Sequence, residues 1–337
     1  MRGYSIQTTD STASAVESDR SAVVGRLDRF LLNTNRDHLT VSQSVWCRTT
    51  AGPLHTIMIN SCRMMRLGAS ALTMTRRSLT TVRREEGVAH ITLSNPKTRN
   101  ALSLEMMKTL MENISSAASD KTVRSIVVRG EGKVFSAGHN LKELTSETSY
   151  EDHLAIFSTC EDLMLLVGRV SVPVVAVVTG HAAAAGCQLV SSCDIVLATP
   201  SAQFSTPGAS VGLFCHTPGV PLARRVPRAV SGYMLLTGDP ISADMAYNAG
   251  LVSRLVQEED LEAEVERVTR AIASKPRGVI SLGKKFYQRQ LELPLDSAYQ
   301  EGGKVMADNL QYRDAQEGIK AFIEKRKPQF SHSQDKI

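Results

Sequence analysis

A run of small residues directly after an apolar strand constrains the fold of this chain more than any other feature. Residues 180–189 read Gly-His-Ala-Ala-Ala-Ala-Gly-Cys-Gln-Leu and follow the valine-rich segment Val174–Val178. The valine-rich segment favours a buried strand, and residues 188–194 favour a helical turn or two. Small residues at such a junction let backbone amides approach a ligand, and a helix N-terminus favours negative charge there. The junction therefore predicts half of an oxyanion hole.

A second segment of this kind lies upstream, where residues 135–143 read Phe-Ser-Ala-Gly-His-Asn-Leu-Lys-Glu. It follows an apolar strand predicted at residues 125–128, after a short loop. Because strand and helix patterns alternate through this part of the chain, we expect an α/β domain with right-handed crossovers. The upstream segment is the second candidate for an oxyanion contact.

Two further motifs complete a pattern that resembles the crotonase superfamily, which contains the enoyl-CoA hydratases and isomerases. The resemblance runs from about residue 87 to residue 330. It begins with residues 91–102 and closes with residues 321–327. Between them it includes the two small-residue segments, which in chain order are the first turn segment (residues 135–143) and the second turn segment (residues 180–189). It implies a crotonase spiral of ββα units at residues 83–230 and a helical segment at residues 231–330. In the family this helical segment covers the pocket and joins subunits into trimers, often paired into hexamers.

The resemblance also implies roles for four residues. In the family two backbone amides hold the thioester oxygen, and the matching residues are His139 and Ala185. Hydratases carry two glutamates that handle water and proton at the double bond, and the matching residues are Gln188 and Gly208. A glutamine amide does not exchange a proton near neutral pH, and glycine has no side chain. Because a positioned acid or base contributes about 10²–10⁴-fold, we do not expect efficient alkene hydration.

Residues near the turns match positions that contact coenzyme A in relatives. Lys97, Arg99 and Lys142 match contacts to its phosphates or adenine, and Ala137 lies in the same site. Each basic residue is alternatively a solvated surface charge. We expect coenzyme A only as part of an acyl-CoA ligand, with no permanently bound cofactor and no metal.

Three histidines and a C-terminal pair complete the candidate site. The side chain of His139 lies near the expected thioester and is suited to donate a hydrogen bond or a proton. His181 and His216 come from loops that flank the expected pocket, although each is alternatively a packed or surface histidine. Phe322 and Lys325 match a pair that packs near the nucleotide in relatives, often across a subunit boundary.

The N-terminal region, up to about residue 82, is expected to be disordered. Between Asp37 and Glu85 it has no acidic residue but seven arginines, together with many Ser, Thr and Met residues. That composition is typical of an organellar transit peptide. We expect a transit segment at about residues 58–80, with a start near Met58 or Met64 and delivery to the mitochondrial matrix. The alternative is a disordered basic tail; a nucleic-acid arm is disfavoured because no aromatic platform accompanies the arginines.

Neither a membrane span nor a metal site is expected. No apolar run approaches the roughly 18 residues of a membrane helix. The chain has six cysteines, which form no Cys-x-x-Cys pair and lie near no histidine cluster suited to zinc. We therefore expect free buried thiols in a reducing compartment.

These observations predict a mitochondrial acyl-CoA-binding protein of lipid metabolism, with an intact oxyanion hole and poor hydratase activity. The oxyanion hole favours, as one alternative, an isomerase or decarboxylase that forms an enolate beside the thioester. The missing glutamates favour, as another alternative, a non-catalytic acyl-CoA sensor or a structural partner in mixed trimers. If only proton-transfer groups are missing, glutamates at positions 188 and 208 together should create hydratase activity.

Local patterns also predict individual elements. Apolar residues at strand or helix spacing are bounded by capping residues and prolines. The predicted elements are a strand at 88–93, a helix capped by Ser103 that runs to about Ala118, a helix from about Glu151 to Val167 ended by Gly168, a helix at 242–249 ended by Gly250, a strand at 251–255, and mostly helices after Ser231, split near Pro276 and Pro294.

Overall fold

The computed structural model describes residues 78–337. In this part of the chain the strands form a six-stranded sheet and a four-stranded sheet. The strands are β1 (Thr80–Glu85), β2 (Val88–Leu93), β3 (Ser125–Gly130), β4 (Val134–Ser136), β5 (Val174–Val178), β6 (His181–Ala183), β7 (Ile195–Ala198), β8 (Gln203–Ser205), β9 (Ile241–Ser242) and β10 (Arg254–Leu255).

Helices connect the strands in the first two thirds of the described chain and form its C-terminal third. The α-helices are α1 (Leu104–Ser119), α2 (Tyr150–Arg169), α3 (Ala185–Ser192), α4 (His216–Arg225), α5 (Arg228–Thr237), α6 (Ala243–Asn248), α7 (Leu261–Ala273), α8 (Arg277–Gln290), α9 (Leu295–Asn309) and α10 (Arg313–Ile323). The predicted α/β class with C-terminal helices is confirmed.

Parallel pairing brings the candidate segments to one edge of the smaller sheet. The strand order is β1-β2-β3-β5-β7-β10 in the larger sheet and β4-β6-β8-β9 in the smaller one. β4, β6 and β8 are parallel neighbours, whereas β9 is antiparallel to β8. Ligands bind outside the carboxyl ends of parallel strands because the following loops meet there. The loops after β4, β6 and β8 are the two turn segments and the segment that contains Gly208.

Helix α1 illustrates how sequence signals become packing. Ser103 Oγ accepts a hydrogen bond of 3.2 Å from the amide of Met106, so the helix begins where predicted. The inward face of α1 holds Met107, Leu110 and Ile114, all fully buried where the helix packs against α2 and the larger sheet. Burial of each such side chain contributes about 1.5–3 kcal/mol to stability, which fixes α1 on the core.

Two N-terminal boundaries differ from the sequence predictions. β1 begins at Thr80, inside the region predicted to be disordered, because its backbone pairs with β2 although most of its side chains are exposed. α2 continues through Gly168 to Arg169, since the amide of Val170 still donates to the Leu166 carbonyl.

The C-terminal boundaries agree better with prediction. Ser242 caps α6, and Gly250 follows it with a φ of 83°, which favours glycine. Pro276 and Pro294 directly precede α8 and α9. However, the strand predicted at 251–255 is reduced to β10, and α4 and α5 begin before Ser231.

A buried ion pair joins α8 to the strand layers. Nζ of Lys284 lies 2.6 Å from Oδ2 of Asp194 and donates to the carbonyls of Val167 at 2.9 Å and Val172 at 3.1 Å. The same Asp194 oxygen accepts the amide of Val174 at 2.7 Å. Both charged side chains are largely buried. Asp194 is therefore structural, and Lys284 fixes the C-terminal helices to the core.

The cysteines of the described residues are free and buried, as predicted. Burial raises the pKa of three of these thiols to about 12, which makes them unreactive near neutral pH. The four cysteines are Cys160, Cys187, Cys193 and Cys215, and Cys47 and Cys62 lie outside the described residues. Among residues 78–337, no helix combines the length and the apolar character needed to cross a bilayer.

Candidate functional site

The two turn segments contact each other through two glycines. A Cβ atom at Gly138 would lie 2.8 Å from Cβ of Ala184 and 3.1 Å from the amide nitrogen of Ala185. A Cβ atom at Gly186 would lie 2.5 Å from the carbonyl oxygen of Ser136. Gly138 also has a φ of 89°, which disfavours any residue with a side chain. Both glycines are required for this close approach.

Two backbone amides at this contact are available to a ligand. Ala185 is the first residue of α3, where helix geometry provides no acceptor for its amide. His139 follows Gly138, whose carbonyl accepts the amide of Leu102 at 2.7 Å. Within residues 78–337 neither the His139 amide nor the Ala185 amide donates a hydrogen bond. The two residues predicted to form an oxyanion hole therefore lie on adjacent segments with unoccupied donors.

Ala184 adopts a backbone conformation that is unusual for an L-residue. It caps α3 with φ 49° and ψ −119°, values normally found at glycine. Its amide donates to the Ser205 carbonyl at 2.9 Å, and its own carbonyl accepts the amide of Gln188 at 2.9 Å. Hydrogen bonds from the amide and to the carbonyl of Ala184 thus stabilise this strained conformation. The turn lets the chain pass from β6 into α3 within one residue.

Gln188, which the family resemblance matches to the first hydratase glutamate, faces α2 and is buried. Its Oε1 atom lies 3.8 Å from Sγ of Cys160, which donates to it. Neither an amide nor a thiol whose pKa is raised to about 12 exchanges a proton readily near neutral pH. A neutral hydrogen-bonded pair therefore occupies position 188.

Gly208, which the family resemblance matches to the second hydratase glutamate, has no room for a side chain. A Cβ atom there would lie 2.0 Å from the carbonyl oxygen of Leu213 and 2.8 Å from Sγ of Cys215. The backbone is held in place because the Leu213 amide donates to the Gly208 carbonyl at 2.9 Å. The Gly208 amide in turn donates to Cys215 Sγ at 3.3 Å. The space that a side chain at position 208 would need is thus filled by Leu213 and Cys215, which sequence alone does not reveal.

The His139 side chain lies in the first turn segment with one nitrogen unpaired. Its Nδ1 is 3.3 Å from the carbonyl oxygen of Leu102, and its ring meets the Phe157 ring edge-on at a centroid distance of 5.3 Å. Because a carbonyl only accepts, Nδ1 carries the hydrogen in this contact. Burial lowers the pKa of His139, while the Leu102 contact and Glu143 act in the opposite direction. Within residues 78–337 the buried Nε2 atom has no hydrogen-bond partner.

The other two histidines contact different groups. Nε2 of His181 lies 2.7 Å from Oγ of Ser205, and burial lowers the pKa of His181. His216 is exposed at the start of α4, where its ring packs edge-on against Phe214. In the described part of the chain the rings of His139, His181 and His216 make no contact with one another.

The basic residues proposed for coenzyme A are exposed near the first turn segment. Lys97 and Lys142 each lie in a single turn of 3₁₀-helix, and Arg99 follows the first of these turns. The Arg99 carbonyl accepts the amide of Ala137 at 3.0 Å, so the two segments are adjacent. Across residues 78–337 none of the three basic side chains forms an ion pair. Their charge is available to an anionic ligand.

The C-terminal pair lies on a different part of the fold. Phe322 belongs to the last turn of α10 and is 84% exposed, and Lys325 follows it with a φ of 54°. Helix α10 packs against α8. An aromatic ring this exposed is available for contact with a second molecule.

Two groups at the site were missed by sequence reasoning. Thr206 lies between β8 and Gly208 and is fully buried, yet among the described residues its Oγ1 atom has no hydrogen-bond partner. The position of Thr206 within the motif at residues 203–208 was a signal that could have identified it. Cys160 comes from α2, far from every motif in sequence, and no local signal connected it to Gln188.

Comparison with known proteins decides the family. A family model described as Enoyl-CoA hydratase/isomerase matches residues 83–333. The chain belongs to this family. Human enoyl-CoA hydratase domain-containing protein 3, mitochondrial, is 51% identical to it over 253 residues, which are 75% of this chain and 84% of the human protein. The rat protein of the same name is 49% identical over 254 residues, which are 75% of this chain and 85% of the rat protein.

Solved structures of the enoyl-CoA hydratase/isomerase family share the fold. The crystal structure of human enoyl-CoA hydratase domain-containing protein 3 has a TM-score of 0.74 at 49% identity, covering 75% of this chain and 100% of that one. An enoyl-CoA hydratase from Mycobacterium smegmatis has a TM-score of 0.73 at 44% identity, with coverage of 75% and 99%. The predicted crotonase superfamily and fold are therefore confirmed.

Proposed function

We propose that this chain binds an acyl-CoA thioester but is not an efficient enoyl-CoA hydratase. The observation that carries the proposal is the backbone that fills position 208, where the Leu213 carbonyl leaves no space for a carboxylate. At position 188 the side chain is a neutral amide bonded to Cys160. In contrast, the amides of His139 and Ala185 are unoccupied in the described chain. The site keeps its polarising donors and lacks the acid–base pair.

The expected binding mode follows from these donors and the nearby charges. The thioester oxygen accepts hydrogen bonds from the amides of His139 and Ala185, which withdraw electrons from the carbonyl carbon. Lys97, Arg99 and Lys142 lie near the first turn segment. Their ammonium and guanidinium groups attract the phosphates of coenzyme A. No resident cofactor is needed for this binding mode.

One alternative is an enzyme that forms an enolate beside the thioester. The unoccupied amides favour it, since an oxyanion donor contributes about 10²–10³-fold to a step that develops charge on oxygen. Isomerisation and decarboxylation both pass through such an anion without adding water. The other alternative, a non-catalytic acyl-CoA sensor or partner in mixed trimers, is favoured by the neutral pair of Gln188 and Cys160.

The first test compares binding and hydration on one sample of the full chain. We expect calorimetry to detect binding of butyryl-CoA, and we expect crotonyl-CoA hydration to be at least about 10⁴-fold slower than by a hydratase with both glutamates. Hydration within tenfold of such an enzyme would contradict the proposal. Failure to bind any acyl-CoA would contradict it in the other direction, because the donor site would then have no ligand.

Restoring the two glutamates is no longer a simple rescue. Glu at position 188 replaces an amide of similar size, but Glu at position 208 collides with the Leu213 carbonyl. We therefore expect the double substitution Gln188→Glu and Gly208→Glu to destabilise the fold without creating hydratase activity. A folded double variant that hydrates crotonyl-CoA would show that residues 213–215 move away readily.

We also propose that the chain forms trimers or hexamers through its C-terminal helices. An apolar groove of about 710 Å³ lies between α8 and α9 and is lined by Leu282, Phe286, Tyr299 and Met306. Together with the exposed Phe322, this surface supports burial against a second copy. Light scattering coupled to gel filtration should give three or six times the chain mass, and a monomer would contradict the assignment.

Finally, we propose delivery to the mitochondrial matrix and a place in fatty-acid or lipid metabolism. The relatives are named mitochondrial, which supports the first part. The transit segment predicted at residues 58–80 lies almost wholly outside the described residues, as do Met58 and Met64. Reporter fusions of the full chain and of a chain started at Met58 test it. Cytosolic localisation of both fusions would refute it.

A further inference from the structure

A fully buried serine lies behind the proposed oxyanion donor of His139. Ser136 is 0% exposed, and its Oγ atom donates to the carbonyl of Asn100 at 2.8 Å and accepts the amide of Gly138 at 3.2 Å. Because a hydroxyl has one hydrogen, the bond to Asn100 leaves its lone pairs for the Gly138 amide. The Ser136 side chain therefore links the loop at residues 95–102 to the first turn segment.

The carbonyl to which Ser136 donates is itself held in place by the Asn100 side chain. Nδ2 of Asn100 donates to the carbonyls of Glu131 at 3.0 Å and Val134 at 2.8 Å, and Oδ1 accepts the amide of Asn95 at 3.0 Å. Asn100 is 0% exposed and has a φ of 53°, in the left-handed region that asparagine tolerates better than most residues. Three side-chain hydrogen bonds thus fix the point from which Ser136 acts.

The direction of the His139 amide depends on the peptide group that joins Gly138 to His139. In a trans peptide the C=O and N–H bonds point to opposite sides. The Gly138 carbonyl accepts the amide of Leu102 at 2.7 Å, so the N–H of His139 points away from Leu102. That N–H has no acceptor within the described residues. Whatever holds the backbone of Gly138 therefore also aims the donor of His139.

Glycine is poorly suited to hold this direction by itself. Gly138 has a φ of 89°, and a glycine populates positive and negative φ about equally because it has no Cβ. The bond from its amide to Ser136 holds the peptide before Gly138, and the bond from Leu102 holds the peptide after it. The Ser136 carbonyl also lies against the second turn segment, where a Cβ atom at Gly186 would be 2.5 Å from it. One buried residue thus contacts both turn segments.

We propose that Ser136 is a positioning residue that aims the His139 amide at the thioester oxygen. The proposal rests on the proposed acyl-CoA binding and adds to it a residue that acts through the backbone and not on the ligand. Without the Ser136 hydroxyl, the Gly138 amide loses its acceptor and the peptide that carries the donor is held on one side only. The thioester oxygen then keeps its bond from Ala185 and loses most of its bond from His139.

The substitution Ser136→Ala tests this role against the matched control Ser125→Ala. Ser125 is also 0% exposed, but it begins β3 in the larger sheet, and its Oγ atom has no partner among the residues that the structure describes. Each variant therefore removes one buried hydroxyl. By calorimetry on the full chain, we expect Ser136→Ala to bind butyryl-CoA about tenfold more weakly, as one lost hydrogen bond predicts. We expect Ser125→Ala to bind it as wild type does.

Infrared spectroscopy of bound butyryl-CoA, labelled with carbon-13 at the thioester carbonyl, gives a readout that a purely structural role would not move. Hydrogen bonds to the carbonyl oxygen withdraw electrons and lower the stretching frequency. We expect wild type and Ser125→Ala to lower the frequency equally. Ser136→Ala should lose about half of the lowering, because one of the two donors no longer points at the oxygen.

Amide hydrogen exchange of wild type, read at single residues, provides a second test that does not depend on the folding of any variant. We expect the Gly138 amide to be protected both with and without butyryl-CoA, since Ser136 is its acceptor in both states. The His139 amide should become protected only when butyryl-CoA is bound. A Gly138 amide that exchanged freely in wild type would contradict the role of Ser136.

The outcomes separate this proposal from the one on which it rests. An unchanged carbonyl frequency in a folded Ser136→Ala variant, whatever its affinity, would overturn the role of Ser136 and leave acyl-CoA binding intact. An equal loss of affinity in Ser125→Ala would also overturn it, because the effect would then follow from removing any buried serine hydroxyl. If wild type bound no butyryl-CoA, the proposed function itself would fail.

Discussion

Replacing Gly138 with alanine is expected to weaken acyl-CoA binding by about 100-fold. The new methyl group would lie 2.8 Å from Cβ of Ala184 and 3.1 Å from the amide nitrogen of Ala185, so the two turn segments must separate. In the proposed binding mode, this separation removes both hydrogen bonds to the thioester oxygen. At about 1–1.5 kcal/mol for each bond, with 1.4 kcal/mol per factor of ten, the loss approaches 100-fold.

Gly250 provides a matched control for this substitution. Its φ of 83° is close to the 89° of Gly138, but a Cβ there would meet only the Arg225 carbonyl at 3.8 Å, an ordinary contact. Gly250→Ala should therefore cost about 1–2 kcal/mol of stability from its left-handed backbone and leave acyl-CoA affinity unchanged. Calorimetric titration of both folded variants measures the difference. Wild-type affinity in Gly138→Ala would mean that the turn segments do not hold the ligand.

The second large effect concerns stability. Lys284→Met is expected to lower the free energy of unfolding by about 3–5 kcal/mol, because it leaves the Asp194 carboxylate buried without its partner. The Lys284 ammonium group also donates hydrogen bonds to the carbonyls of Val167 and Val172, which lose this donor in the variant. Denaturant unfolding followed by circular dichroism measures the change.

The neighbouring lysine makes a sharp control. Lys285 lies on the same helix but is exposed, so Lys285→Met should change stability by less than about 0.5 kcal/mol. Adding Asp194→Asn to Lys284→Met should recover part of the loss, since the unpaired buried charge is then removed. Equal stabilities of Lys284→Met and Lys285→Met would show that the pair does not anchor α8.

The sequence predicted those parts of the fold whose signals are local. Ser103 marks the start of α1, and Pro276 and Pro294 mark the divisions between C-terminal helices, because a cap or a proline acts on its own neighbours. β1 was missed because only Thr80 of its six residues is buried and its strand conformation comes from pairing with β2. Gly168 was wrongly expected to end α2, since glycine permits a helix end without requiring one.

The two turn segments were recognisable from their small residues for the same reason, and the structure brings them together. The assignment of the oxyanion donors to His139 and Ala185 came from the family resemblance and stays a prediction. Contacts between distant segments had no local signal. They include the thiol of Cys160 on Gln188, the unpaired hydroxyl of Thr206 and the separate surroundings of the three histidines. Family resemblance predicted which side chains are missing but not what occupies their space.

The carbonyl of Leu213 beside Gly208 has an evolutionary consequence. In a descendant of this chain, a mutation that returned glutamate to position 208 would meet backbone and would be removed by selection before its carboxylate had any use. Hydratase chemistry would first require a change in the loop at residues 211–215, which by itself brings no catalytic benefit. A glutamate at position 208 is therefore expected to arise only through two coupled changes, one in this loop and one at position 208 itself.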